Sequence, residues 1–265
     1  MTEILKTAHK AVEALFKAGA HYAFSKSRRH PSSLPFLFGN RNRVDVFDLE
    51  KTEKALEEAC LFIEKSAQEG KQVVFVATKP EAAKAVRAAA ERVGAAFVTT
   101  RWVGGAITNY PQIVKRINEL KKLTDEREKG LLTKYTKKER VLIDRDIARL
   151  TDSFGGLVGL TKSPDVLFVV DPRHEAVAVA EARSAGVPIV ALAGSDCNLT
   201  TVTYPIPAND TIVSSITHIV EEIAKAFEKG RTLRAAAPSP TKATEDNSSD
   251  VRHGASEETP KKTDE

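Results

Sequence analysis

Four arginines, Arg28, Arg29, Arg41 and Arg43, are interleaved with His21, Tyr22, Phe24, Phe36 and Phe38 and with Pro31 and Pro35, in a stretch that holds no acid between Glu13 and Asp45. Lys17 and Lys26 add to the same patch. A guanidinium makes paired hydrogen bonds to a phosphate, and aromatic or guanidinium planes stack on unpaired bases. This mixture therefore suits a polyanion with exposed bases, and Lys26, Arg28, Arg29, Arg41 and Arg43 are its candidate contacts. A second candidate lies in TRWVGGAITN, residues 100–109, where Arg101 precedes the single tryptophan, Trp102. Gly104 and Gly105 permit a sharp turn there, and Asn109 with Pro111 suits the start of a helix. Arg101 and Trp102, at the rim of that turn, are harder to assign to packing.

Chemistry of other kinds has little to work with. After VVFVA (73–77) comes Thr78-Lys79-Pro80 without a glycine, and neither G-x-G-x-x-G nor G-x-x-x-x-G-K-[ST] occurs. Asp171, Arg173, His174 and Glu175 resemble an acid, a cation and a base at a strand end, but an N-cap aspartate and a first-turn glutamate explain them structurally. His21 and His30 are nine apart with no cysteine or carboxylate between them, and Cys60 and Cys197 stand alone, so no metal site or disulfide is expected and the thiols are expected to be buried or half-buried. No catalytic residue, metal ligand or cofactor is assigned. The alternative from another class is a flavodoxin-like enzyme, or a sugar-phosphate or nucleotide binder, using the strand ends near Thr78, Asp171 and Ser195.

These residues need a scaffold, and the middle of the chain supplies one. VVFVA (73–77), AFVTT (96–100), DVLFVVD (165–171) and VPIVALA (187–193) are nearly continuous apolar runs. Helical runs separate them: one from Pro80 to a stop at Gly94, and another capped by Asp171, started by Pro172 and ended by Gly186. A last helix is expected from about Thr211 to Glu228, with Ile212, Ile216, Ile219 and Ile223 at helical spacing. Buried apolar strands alternating with helices indicate an α/β fold: a Rossmann-like, flavodoxin-like three-layer parallel sheet.

Between Gly105 and Pro164 the rhythm changes. Ile113, Ile117 and Leu120, then Ile143, Ile147, Leu150 and Phe154, step by three and four around the breaker Gly130. They predict an inserted, protruding antiparallel helical hairpin of coiled-coil type over 111–154, between α/β portions at 1–110 and 155–234. Residues 112–153 hold 12 Lys and Arg against 8 acids, with Lys134, Lys137 and Lys138, beside Lys129 and Arg140, near the expected tip. From 235 to 265, Pro, Ser, Thr and charged residues dominate, and a disordered tail is expected. Outside that tail the chain carries 36 basic and 29 acidic residues. The acid-containing N-terminus has no secretory h-region and no run approaches a membrane span, so a cytoplasmic location is expected.

Taken together, these stretches resemble the ribosomal protein S-two family in its bacterial or organellar form. The resemblance rests on Ala18-Gly19-Ala20-His21-Tyr22, Phe38-Gly39-Asn40-Arg41-Asn42, Asp48-Leu49-Glu50-Lys51-Thr52, Phe75-Val76-Ala77-Thr78-Lys79, Arg101-Trp102-Val103-Gly104-Gly105 with Thr108-Asn109, Leu132-Thr133 with Lys137-Lys138-Glu139, Gly155-Gly156, Pro164–Asp171, and Ile206-Pro207 with Asn209-Asp210. It implies a structural, non-catalytic role in the small ribosomal subunit: binding small-subunit (16S-type) rRNA, neighbouring other small-subunit proteins and, in bacteria of the usual type, helping to hold ribosomal protein S-one. Carried onto this chain, the resemblance makes Arg28, Arg41, Arg101, Trp102 and the basic side chains of the hairpin, Lys134, Lys137 and Lys138 among them, the residues expected to face RNA. The chain departs from the family pattern at Ala23-Phe24, where glycine and histidine are usual, and at Arg29-His30-Pro31, where Trp-Asn-Pro is usual.

Overall fold

The computed structural model describes residues 2–236. Its centre is a parallel sheet of five strands in the order β5-β4-β6-β7-β8: β4 is Val73–Val76, β5 Ala96–Val98, β6 Val166–Val170, β7 Ile189–Ala193 and β8 Tyr204–Pro207. Counted along the chain, that order is second, first, third, fourth, fifth, the flavodoxin-like arrangement. Every residue of β4, β6 and β7 is buried. Successive side chains leave a strand on opposite faces. Val73, Phe75, Phe168 and Val190 accordingly join one core, whereas Val74, Val76, Leu167 and Ala191 join another.

The first core is covered by α2 (Leu49–Gln68), α3 (Pro80–Val93) and α7 (Val213–Ala236), with Leu15 of α1 (Thr2–Lys17) at its margin. The second is covered by α6 (Ala176–Ser184) and by the inner ends of α4 (Tyr110–Glu128) and α5 (Lys137–Phe154). Ile113, Ile117 and Leu120 of α4 and Ile147, Leu150 and Phe154 of α5 are the buried residues of that pair. From residue 121 to 146 only Leu132 is buried, so the outer half of the pair depends on its own few contacts and on Gly130 in the left-handed region between the helices.

A second, antiparallel sheet has the order β1-β3-β2, formed by Tyr22–Ser25, Val44–Phe47 and Leu37–Arg41. It falls outside the apolar runs that mark strands in the sequence. Strands β2 and β3 are joined by Asn42 and Arg43, both at positive φ (53° and 65°), the backbone of a tight twisted hairpin. This ribbon docks on the carboxyl ends of β7 and β8. Phe24 N–H donates to Ser195 Oγ (2.9 Å), His30 N–H to Ser195 O (2.7 Å) and Asn209 Nδ2 to Tyr22 O (2.7 Å).

Helix α3 begins at Pro80 and stops at left-handed Gly94, as its punctuation predicts. Two other boundaries differ. Asp171 adopts φ 63°, and its Oδ1 accepts from the N–H groups of Arg173 and His174, so a turn precedes α6 and delays it to Ala176. Asn209 Oδ1 accepts from the N–H groups of Thr211 and Ile212, which leaves Ile212 outside α7. That helix continues beyond Glu228 through Gly230, which packs on the Glu64 backbone of α2. Of the tail expected from 235, Ala235 and Ala236 end α7 and the rest lies outside the described residues.

Candidate nucleic-acid interface

Arg41 and Arg43 flank and form the β2–β3 turn, where both are exposed and without an ion pair among the described residues. Lys26, in the turn after β1, is equally free. Arg28 is exposed, but its guanidinium lies over the Phe24 ring at 4.4 Å and meets Asp196 at 3.6 Å. Arg29 is half-buried and turned inward: Nη1 stands 3.3 Å from Oδ2 of buried Asp45, whose Oδ1 accepts from Asn40 Nδ2 at 2.8 Å. A buried carboxylate needs such partners, so Arg29 and Asn40 fix the ribbon rather than extend its reach.

Arg101 is exposed and unpaired among the described residues, yet both neighbours are fixed. The Thr100 hydroxyl donates to Asp152 O at 2.6 Å, and the Trp102 indole N–H donates to Glu181 Oε2 at 2.9 Å. Trp102 itself is only 7% exposed and packs in the second core. The expectation that it faces RNA is corrected: a buried indole satisfies its N–H internally and presents no ring to a base.

Lys134 is exposed between α4 and α5, and Lys137 and Lys138 are exposed at the start of α5. Thr136 and Glu139 form a reciprocal capping box that sets where α5 begins (2.8 and 3.4 Å). It leaves Lys137 and Lys138 in the first turn, where the helix dipole repels cations; an anionic partner would relieve that cost. Lys134 lies 5.1 Å from the centre of the Tyr135 ring. The structure thus gathers Lys26, Arg28, Arg41 and Arg43 around one ribbon and leaves Arg101 and the three lysines on other elements.

The strand ends, where a doubly wound protein receives its ligand, are occupied by the protein's own charges. Lys79 Nζ lies 3.2 Å from Asp171 and 3.4 Å from Asp210. Burial, reinforced by the charge of Asp171, pushes the Asp210 carboxyl up to about 7. Burial works against ionisation of Asp171 too, but the His174 N–H and Lys79 outweigh it and hold that carboxyl below its usual range. Both aspartates raise Lys79 against the effect of its own burial. Asp171, Cys197 and Asp210 could together hold a cation, but the lysine ammonium already supplies the charge. Burial also pushes the Cys197 thiol well up, and that of Cys60 to about 12, so neither is nucleophilic at neutral pH. Next to this network, Asp196 binds Arg173 at 2.7 Å as well as Arg28.

Sequence reasoning missed Arg173, Asp196 and Glu181 as organisers of these surfaces. Their partners are 23 to 168 residues distant along the chain, and no local pattern announces them. It also missed a groove of about 830 Å³ between α1 and the ribbon, lined by Phe16, His21, Tyr22, Phe38, Arg41 and Val44 among others. Phe38 is 82% exposed there, and His21 stacks on Phe16 at 4.5 Å.

A family model described as Ribosomal protein S2 matches residues 15–230. The chain belongs to the ribosomal protein S2 family. Among curated relatives, small ribosomal subunit protein uS2 of Dictyoglomus thermophilum is 39% identical over 227 residues, covering 86% of this chain and 92% of that protein. The uS2 protein of Dehalococcoides mccartyi (strain ATCC BAA-2266 / KCTC 15142 / 195) is 40% identical over 213 residues, covering 80% and 87%. That of Roseiflexus sp. (strain RS-1) is 38% identical over 224 residues, covering 84% and 86%. In this S2-family chain the α1–β1 junction, the β ribbon, the TRWVGGAITN loop and the α4–α5 pair all fall inside the matched region.

Proposed function

We propose that this protein is a structural component of the small ribosomal subunit that binds small-subunit (16S-type) rRNA, chiefly through phosphate contacts from Lys26, Arg41, Arg43, Arg101, Lys134, Lys137 and Lys138. The observation that carries the reading is the contrast between two sets of charges. Arg41, Arg43 and Arg101 sit exposed on fixed backbone with no ion pair among the described residues, whereas Lys79, Asp171 and Asp210 neutralise one another at the strand ends. Phosphate contacts supply most of the affinity of such an interface and make it salt-dependent. Its role is to hold RNA in place rather than to catalyse, in the cytoplasm. No helix among the described residues is long and apolar enough to cross a membrane.

The reading includes protein neighbours. The exposed aromatic lining of the Phe16–Tyr22–Phe38 groove supports a contact with another small-subunit protein, and ribosomal protein S-one is the partner that the family resemblance implies. The α4–α5 pair is assigned the part of a projecting basic arm. Binding of purified small-subunit rRNA at several salt concentrations tests the RNA reading. The triple variant Arg41→Ala, Arg43→Ala, Arg101→Ala is expected to bind more weakly, with its slope of log K against log salt reduced by roughly 0.7–0.9 per lost phosphate contact. An unchanged slope removes these residues from the interface.

A further inference from the structure

We infer that Glu181 is a positioning residue of the RNA interface: one carboxylate on α6 sets both Arg101 and the start of α4, and so fixes the α4–α5 lysines relative to the sheet. The inference rests on the rRNA-binding reading above.

All four donors to this carboxylate come from the TRWVGGAITN loop. Oε2 accepts from Trp102 Nε1 at 2.9 Å; Oε1 accepts from the N–H groups of Ile107 and Thr108, each at 2.9 Å, and from the Thr108 hydroxyl at 3.0 Å. Burial disfavours the charged form, but these donors outweigh it and hold the carboxyl below its usual value, so Glu181 is ionised throughout the neutral range. Among the described residues no cation pairs with it; its charge is matched by N–H and O–H dipoles alone.

The position of the donors gives the bond its consequence. Ile107 and Thr108 immediately precede α4, whose N-cap residue, Asn109, makes no side-chain capping bond. The first amides of a helix need acceptors, and the positive end of its dipole favours an anion. Glu181 brings an anion to this end from another helix, 74 residues along the chain from Ile107, accepting from the amides of the two residues that lead into the N-cap. At the other end of the loop, Trp102 is clamped directly after Arg101. A charge-assisted bond to a backbone amide is short and directional, and it fixes orientation as well as adding stability. The loop is tied down at both ends by one side chain, and the two cationic elements it connects share that anchor.

Hydroxyl-radical footprinting of the full chain on small-subunit rRNA tests this. The nucleotides protected by each element are first assigned by their loss in three reference variants: Arg101→Ala; Lys134→Ala, Lys137→Ala, Lys138→Ala together; and Arg41→Ala, Arg43→Ala together. Glu181→Gln preserves size but removes the charge and replaces one acceptor oxygen by a donor. We expect its overall rRNA affinity to fall roughly tenfold, with protections assigned to Arg101 and to the lysines weakening together and those assigned to Arg41 and Arg43 persisting. A uniform weakening of all protections, or no change, overturns the inference. Where Glu181→Gln does not fold, Thr108→Val decides: it deletes one exposed hydroxyl donor and must weaken the same subset to a smaller degree, and unchanged protections overturn the inference. Absence of any wild-type footprint overturns the rRNA reading and this inference with it, whereas an intact wild-type footprint that Glu181→Gln leaves unaltered overturns the inference alone.

Discussion

The Glu175 carboxylate lies 2.7 Å from the Thr78 N–H and 2.5 Å from the Thr78 hydroxyl, just ahead of α3. In a flavodoxin-like sheet this is the switch point between the first and third strands, where the amides before a helix receive a phosphate. Here an internal carboxylate takes that place. The wild-type protein is therefore expected to show no saturable thermal stabilisation by nucleotides or sugar phosphates. Glu175→Ala should lose about 1–3 kcal/mol, as the half-buried Thr78 donors lose a charged acceptor. Inorganic phosphate should recover more of that loss than it adds to the wild type; a specific nucleotide shift in the wild type would favour a ligand-binding enzyme instead.

Asp210 makes stability depend on pH in a defined sense. Its folded carboxyl titrates at about 7, above the unfolded value near 4, so between these limits the native state holds a proton that the unfolded chain has released. Its contribution falls as pH rises from about 4 to about 7, and the penalty is complete above that. Asp210→Asn mimics the protonated form. Its Tm relative to wild type should increase from pH 5 to pH 8, as thermal melts across that range will report; a constant difference removes Asp210 as the source.

Arg101 and Trp102 are neighbours with opposite roles. Trp102→Phe deletes the donor to Glu181 and part of a buried ring, and is expected to cost about 1–3 kcal/mol of stability. At a temperature where the variant is folded, its rRNA salt slope should fall by less than that of Arg101→Ala, because the other three donors to Glu181 still hold the loop. Arg101→Ala should keep the melting temperature and lower the slope by a full phosphate contact. Measuring both quantities for both variants separates packing from contact.

Much of the scaffold was legible because parallel strands buried on both faces must be apolar throughout: β4, β6 and β7 announce themselves. The ribbon did not. Its turn uses Asn42-Arg43 at positive φ instead of a glycine pair, and β2 exposes Phe38, so neither turn chemistry nor alternation marks it. Arg41 and Arg43 were readable as cations but not as the tip of a hairpin. Trp102 was misread because a tryptophan beside an arginine resembles a stacking pair in one dimension; in the fold it packs in the second core and its N–H meets Glu181, 79 residues away along the chain. For the same reason the strand-end network of Lys79, Asp171 and Asp210 is invisible until the sheet brings its ends together.

Gly230 shows a packing constraint that opposes local preference. Alanine is favoured over glycine inside a helix by about 1 kcal/mol, but a Cβ here would collide with the Glu64 carbonyl oxygen and approach Ala67 Cβ to 2.7 Å. The oxygen belongs to the backbone of α2 and cannot swing aside. Gly230→Ala should therefore be net destabilising by roughly 1–3 kcal/mol in denaturant melts; a stabilised variant would mean that α2 and α7 are less closely seated.

The central claim is that this chain works as part of the small ribosomal subunit, and sedimentation tests it most directly. Tagged protein in a cell lysate, run through a sucrose gradient at moderate salt, is predicted to migrate with small subunits and to shift toward the top of the gradient when Arg41, Arg43 and Arg101 are replaced by alanine. Wild-type protein found only in the free pool would contradict the account.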